Sequence, residues 1–138
     1  TTSLVTDGLA PNIWHHVVVT NTANAAQIYV NGELRLGGVG REIPTGSTDL
    51  YWGRWPRNRG ACSVPLYMDD IIIFDRALPA NEIRSIYQGQ LNFNDPAMVG
   101  YWANDRLTEQ NVTVAGASNA DMTLQRGAQL VNECPARP

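Results

Sequence analysis

Apolar and polar residues alternate over much of the chain, with the two-residue period of β-strands. Residues 13–20 (IWHHVVVT) are rich in β-branched and aromatic side chains and predict a strand. A second strand is predicted over residues 27–31, where Ile28 and Val30 share one face. Asn31 and Gly32 then supply the two positive-φ positions of a type I′ turn. The pattern therefore predicts a β-hairpin closed at Asn31-Gly32.

The same alternation predicts strands over residues 49–54, 66–75 and 98–102, and a last one near 122–131. Residues 66–75 are apolar on both faces in their second half, which indicates burial between two layers. Together these strands predict an all-β fold, an antiparallel β-sandwich. The 138 residues suit a single domain of this kind.

Helical spacing occurs in one stretch, residues 79–88. Pro79 suits the start of a helix, and Ile83, Ile86 and Tyr87 repeat at i, i+3 and i+4. Gly89 is a typical residue just past a helix end. We therefore expect one short helix packed on the sandwich by its Ile83 face.

Charge limits the classes of partner. The formal net charge is −3, and no cluster of basic residues appears. A nucleic-acid partner needs such a cluster to neutralise phosphates, so this class is not expected. The apolar runs are far shorter than the ~20 residues of a membrane-spanning helix, so membrane insertion is not expected either.

Four segments, in this order, resemble the laminin-G-like, concanavalin A-like jelly rolls. They are residues 13–20 (IWHHVVVT), 28–34 (IYVNGEL), 50–54 (LYWGR) and 68–78 (MDDIIIFDRAL), the last followed by Glu82-Ile83. The resemblance implies that residues 1–90 form the second half of such a unit, in a secreted or extracellular protein at a cell or particle surface.

The tail, residues 91–138, is similar to the opening of another such unit. The similarity is carried by residues 99–102 (VGYW), 116–124 and 127–131 (GAQLV). Strands that the family has between these two parts lack a counterpart here. Three arrangements stay open: a fragment of a multi-module protein, a permuted domain whose tail packs in cis, and a tail donated to a neighbouring subunit.

The segment around Trp55 is the candidate ligand-binding loop. It combines Trp55 with Arg57, Asn58 and Arg59 between prolines, which predicts exposure. An exposed indole stacks on the apolar face of a sugar, while guanidinium and amide groups bind hydroxyl or acidic groups. The alternative is that Trp55 caps the end of the sandwich and the arginines are only solvated.

Other candidate chemistry is sparse. The resemblance implies a Ca²⁺ site with Asp69 as a ligand, since relatives hold calcium at the sheet rim; the alternative is that Asp69 hydrogen-bonds a turn and Asp70 pairs with an arginine. Cys62 and Cys134 either form a disulfide or stay as thiols. His15 and His16 are adjacent in a predicted strand and so point to opposite faces. With no paired acids at catalytic spacing or other catalytic motif, an enzyme is not expected.

These observations favour a binding or adhesion module that recognises a carbohydrate or a matrix polymer. Such a module would contact a glycan and, in addition, other domains of its parent protein or further copies of itself. The alternative is a structural subunit of a fibre, coat or appendage, in which neighbouring subunits complete the sandwich by strand donation. An incomplete sheet leaves unpaired edges, and a partner strand would cover them.

Overall fold

A computed structural model describes residues 8–40, 67–102, 111–112 and 122–123. Seven strands and one helix lie in these ranges, in the order β1 (Val17–Asn21), β2 (Ala26–Val30), β3 (Glu33–Gly38), β4 (Ile71–Phe74), α1 (Ala80–Tyr87), β5 (Met98–Trp102), β6 (Asn111–Val112) and β7 (Met122–Thr123). All paired strands are antiparallel. The predicted all-β class with one short helix is confirmed. The strand predicted over residues 49–54 lies outside the described residues.

The first sheet contains β1, β2 and β3 in that order. The turn between β2 and β3 has φ of 53° at Asn31 and 80° at Gly32, which confirms the predicted hairpin. Glycine has a second reason to be here, since a Cβ on Gly32 would lie 3.2 Å from Cδ1 of Tyr87. The hairpin turn therefore packs closely against α1.

Strand β1 is shorter than the predicted strand over residues 13–20, because it begins at Val17. Val17 pairs with Val30, the last residue of β2. One step beyond, the His16 amide donates to Oδ1 of Asn31 and the Asn31 amide donates to the His16 carbonyl. The turn thus ends the partner strand, and residues 13–15 have no described strand opposite them.

Strand β4 is also shorter than predicted, spanning Ile71–Phe74 instead of residues 66–75. Asp70 immediately before it has φ of 49°, which is incompatible with extended backbone. Strand β5 matches its predicted bounds and pairs antiparallel with β4, from Ile71 opposite Trp102 to Phe74 opposite Met98. The first strand of the tail therefore lies beside a strand of residues 1–90 in the same chain.

Helix α1 fits the prediction over residues 79–88 to within one residue at each end. Pro79 is the extended residue before the helix, and its carbonyl accepts hydrogen bonds from the amides of Glu82 and Ile83. Gly89 has φ of 82° and its amide donates to the Ile86 carbonyl, which ends the helix. Among the described residues, no helix is long and apolar enough to cross a membrane.

Two apolar clusters form the described core. In the first, α1 packs on the first sheet through Tyr29, Leu78 and the fully buried Ile83, flanked by Val18, Phe74 and Ile86. In the second, Ile71 and Trp102 pair across β4 and β5, beside Met68 and Ile73. Burying a side chain the size of Ile83 contributes about 1.5–3 kcal/mol, so the helix is held chiefly by this face.

Candidate functional site

The backbone bends sharply just before β4, at Asp69 and Asp70. The Asp70 amide donates to Oδ1 of Asp69 at 3.0 Å, and Asp70 takes the left-handed conformation that aspartate tolerates better than most residues. Tyr101 on β5 donates its hydroxyl to Oδ1 of Asp70 at 2.8 Å. The bend thus presents the exposed Asp70 side chain next to the Tyr101 ring.

A second aromatic ring stands next to Tyr101. The ring centroid of Phe93 is 5.3 Å from that of Tyr101, and the two planes are inclined at 57°. Phe93 is 60% exposed, which leaves much of its apolar ring in contact with water. We call Phe93, Tyr101 and Asp70 the aromatic corner. It brings two aromatic rings next to a carboxylate.

Hydrogen bonds within the loop between α1 and β5 fix the position of Phe93. The Asn94 amide donates to Oδ1 of Asn92, and the Asp95 amide donates to the Asn92 carbonyl. Oδ1 of Asp95 then accepts the Ala97 amide at 2.8 Å. Side chains of Asn and Asp that bind nearby amides in this way stabilise turns. Phe93 therefore projects from a turn with defined geometry.

Arg76 ties this loop to the helix. Its guanidinium donates to both carboxylate oxygens of Glu82 on α1, at 2.8 and 2.6 Å, and to Oδ2 of Asp95 at 2.6 Å. The Ala97 amide and then the Arg76 guanidinium hold the pKa of Asp95 below its ordinary value. Hydrogen bonds to Glu82 and Asp95 raise the pKa of Arg76 above its ordinary value. The three side chains connect the segment after β4, helix α1 and the loop before β5, so we assign them a structural role.

The two histidines have separate surroundings. Nε2 of His15 lies 2.9 Å from the Ala10 carbonyl. The ring of His16 stacks on Tyr87 of α1 at 5.8 Å, and burial lowers the pKa of His16. Both Nδ1 atoms are buried and lack a hydrogen-bond partner among the described atoms. His15 and His16 thus contact different parts of the chain and do not converge on a common site.

The four residues predicted to bind a ligand, Trp55, Arg57, Asn58 and Arg59, lie outside the described residues. The same holds for the two cysteines of the predicted disulfide, Cys62 and Cys134. Asp69 is described, and Oδ1 of its side chain accepts the next amide. In the described part of the chain, no three His, Cys, Asp or Glu side chains cluster as metal ligands would. Calcium at Asp69 stays a prediction.

Sequence reasoning missed the aromatic corner. The available signal was an aromatic residue inside a turn segment of otherwise mostly polar residues, 91–96 (LNFNDP). Its proximity to Tyr101 depends on the loop conformation. Its proximity to Asp70 also depends on the pairing of β4 with β5, which is not a local property of the sequence.

Comparison with known proteins identifies the family. A laminin G family model, described as the concanavalin A-like lectin/glucanases superfamily, matches residues 2–84. None of the curated proteins compared with the chain matches it.

Two solved structures share the fold. One is a candidate carbohydrate-binding protein of Bacteroides ovatus, with a TM-score of 0.61, 20% identity, 94% of this chain covered and 41% of that one. The other is an S-layer domain-containing protein of Clostridium thermocellum, with a TM-score of 0.51, 26% identity, 59% of this chain covered and 42% of that one. The chain thus spans about two fifths of the length of each. With the family match covering more than half of its sequence, the chain belongs to the laminin-G-like family of the concanavalin A-like lectin/glucanase superfamily.

Proposed function

We propose that the chain is a carbohydrate-binding module of an extracellular or surface protein. The observation that carries the proposal is its membership of a lectin/glucanase superfamily over residues 2–84. The fold shared with a candidate carbohydrate-binding protein supports the binding role. The fold shared with an S-layer domain-containing protein supports the location at a surface. Fold alone does not specify a ligand, so the side chains at the surface must carry the recognition.

The predicted ligand loop remains one proposed contact surface. In the proposal, Trp55 stacks on a sugar ring, and Arg57, Asn58 and Arg59 bind the hydroxyl or acidic groups of a neutral or acidic glycan. Ca²⁺ bound through Asp69 would lie on the chain segment that leads into β4. A calcium ion there would neutralise part of the acidic bend and hold the sheet rim in one conformation.

A binding panel of neutral and acidic glycans tests this function on the whole chain, with and without added calcium. We expect saturable binding of at least one glycan, weakened roughly tenfold by Trp55→Ala or Arg57→Ala. The control is Val39→Ala, which removes an exposed apolar side chain from a described position outside the candidate loop. Absence of binding across the whole panel contradicts the proposal.

A further inference from the structure

We propose that Asn31 is a modification site, at which the chain undergoes deamidation when the turn between β2 and β3 opens, and that packing of α1 on this turn sets the rate. Asn31 stands directly before Gly32, and no other asparagine of the chain is followed by glycine. The inference is independent of carbohydrate binding, because it concerns the first sheet and α1 and involves no ligand.

The reaction requires only the chain and water. The backbone nitrogen of Gly32 attacks Cγ of Asn31, so that an N–Cγ bond forms and the nitrogen gives up its proton. The Cγ–Nδ2 bond then breaks, and Nδ2 leaves as ammonia with that proton, which leaves a cyclic succinimide. Water opens the ring at either carbonyl and produces an aspartate or an isoaspartate at this position. Glycine favours the attack because it has no side chain to crowd the nitrogen.

The folded turn keeps the two reacting atoms apart. The φ values of 53° at Asn31 and 80° at Gly32 are those of a type I′ turn, in which ψ of the first residue is about 30°. At that ψ, the Gly32 nitrogen and Cβ of Asn31 lie on opposite sides of the bond between Cα and the carbonyl carbon. Ring closure requires them on the same side, so the backbone must rotate out of the turn before Cγ is attacked.

Hydrogen bonds to His16 hold Asn31 in this arrangement. Oδ1 of Asn31 accepts the His16 amide at 3.0 Å, and the Asn31 amide donates to the His16 carbonyl at 2.8 Å. The first of these bonds also polarises the side-chain carbonyl, which makes Cγ more reactive. A polarised carbonyl still reacts only when the nitrogen reaches it, so the geometry of the closed turn outweighs this activation.

Helix α1 keeps the turn closed. Gly32 is buried, and a Cβ at this position would lie 3.2 Å from Cδ1 of Tyr87 and 3.4 Å from Cα of Arg84. The Tyr87 ring also stacks on His16, with 5.8 Å between the ring centroids. Rotation of the Gly32 backbone therefore requires α1 to move away. The deamidation rate of the folded chain is then the rate in the open turn multiplied by the fraction of open molecules.

The isoaspartate product changes the hairpin permanently. It carries the main chain through Cβ, which lengthens the connection between Val30 and Glu33, the residues that pair across the turn. Turn type and length fix the register of a hairpin, so the lengthened turn no longer matches these strands. Deamidation would thus separate the turn from α1, and loss of ammonia makes the change irreversible.

The test measures loss of the Asn31 amide by peptide mapping and mass spectrometry. The whole chain is incubated folded and in guanidinium chloride, at the same pH and temperature. In the unfolded chain, we expect Asn31 to react faster than every other asparagine, since it alone precedes glycine. In the folded chain, we expect the same site to react at least about tenfold more slowly.

Variants of Tyr87 test the role of α1. Tyr87→Ala removes the ring next to Gly32 and should raise the rate in the folded chain about threefold or more. Tyr87→Phe keeps the ring and should react as slowly as the wild-type chain. The matched control is Tyr67→Ala, which removes an exposed ring from the segment before β4 and should leave the rate unchanged. Circular dichroism checks that each variant folds, and Tyr87→Leu replaces Tyr87→Ala if the latter does not.

Each part of the proposal has its own contrary result. Equal rates in the folded and unfolded wild-type chain would overturn the protection of Asn31 by the turn. Faster amide loss at another asparagine of the unfolded chain would overturn the choice of site. A folded variant without the Tyr87 ring that reacts at the wild-type rate would overturn the control by α1.

Discussion

At the scale of single residues, His16 links folding to pH. Burial against Tyr87 lowers its pKa from the ordinary value of 6.5, so the folded chain binds a proton less readily than the unfolded one. The free energy of unfolding should therefore be highest above pH 6.5 and fall as the pH decreases through that value. We expect His16→Phe, which keeps a ring to stack on Tyr87, to reduce this fall in urea unfolding at pH 7.5 and 5.5.

His15→Gln is the matched control, since it alters the neighbouring ring and leaves His16 in place. It should retain the wild-type difference in unfolding free energy between the two pH values. An undiminished pH effect in His16→Phe would mean that another group is responsible.

Residues also differ in how far the sequence predicts them. Asn31 and Gly32 were predictable because a type I′ turn requires their particular φ values locally. The bend at Asp70 was not, because its left-handed backbone is favoured by a contact with Tyr101, 31 residues away. The aromatic corner depends on that same long-range contact, and periodicity carries no information about it.

At the scale of elements, α1 depends on one buried face. Ile83 is fully buried between the helix and the first sheet, beside Tyr29 and Leu78. Ile83→Ala should lower the free energy of unfolding by about 2–5 kcal/mol, because it leaves a cavity in this cluster. Asn81→Ala, at an exposed position of the same helix, should change it by less than about 0.5 kcal/mol. Urea unfolding of both variants compares them, and similar losses would contradict the packing of α1 described above.

The connection between α1 and β5 depends on Arg76, which bonds to Glu82 and Asp95. Arg76→Gln removes the charge that holds Asp95. We expect faster hydrogen exchange at two amides: that of Ala97, which donates to Oδ1 of Asp95, and that of Asp75, which donates to the Ala97 carbonyl. The Ile28 amide in the middle of β2 is the internal reference and should exchange at an unchanged rate. Unchanged protection of Ala97 would show that the loop is held without Arg76.

Helix α1 and the hairpin were predictable because each follows from a short sequence pattern. The bounds of β1 and β4 were not, since strand length depends on the partner. Strand β1 loses its partner where β2 turns at Asn31, and β4 begins only after the bend at Asp70. Alternation in sequence identifies residues that are able to form a strand, but the opposite strand determines which of them do.

At the scale of the whole molecule, the pairing of β5 with β4 predicts whether the chain associates with other copies of itself. This strand of the tail pairs with β4 in the same chain, and Trp102 packs against Ile71 in a buried cluster. Since a donated strand would have to displace β5, we expect a monomer near 15.2 kDa by light scattering across concentrations, with or without calcium. A concentration-dependent ladder of masses would instead support the structural-subunit alternative, in which chains exchange their tails.

A variant of β1 would show which strand mediates any self-association that is observed. Among the described strands, β1 lies at one end of its sheet and exposes Val17 and Val19. Lysine on an edge strand opposes pairing with another chain. If oligomers form through β1, Val19→Lys should return the chain to the monomer mass. If they form by exchange of β5, the same variant should leave the ladder unchanged, because Val19 lies in the other sheet.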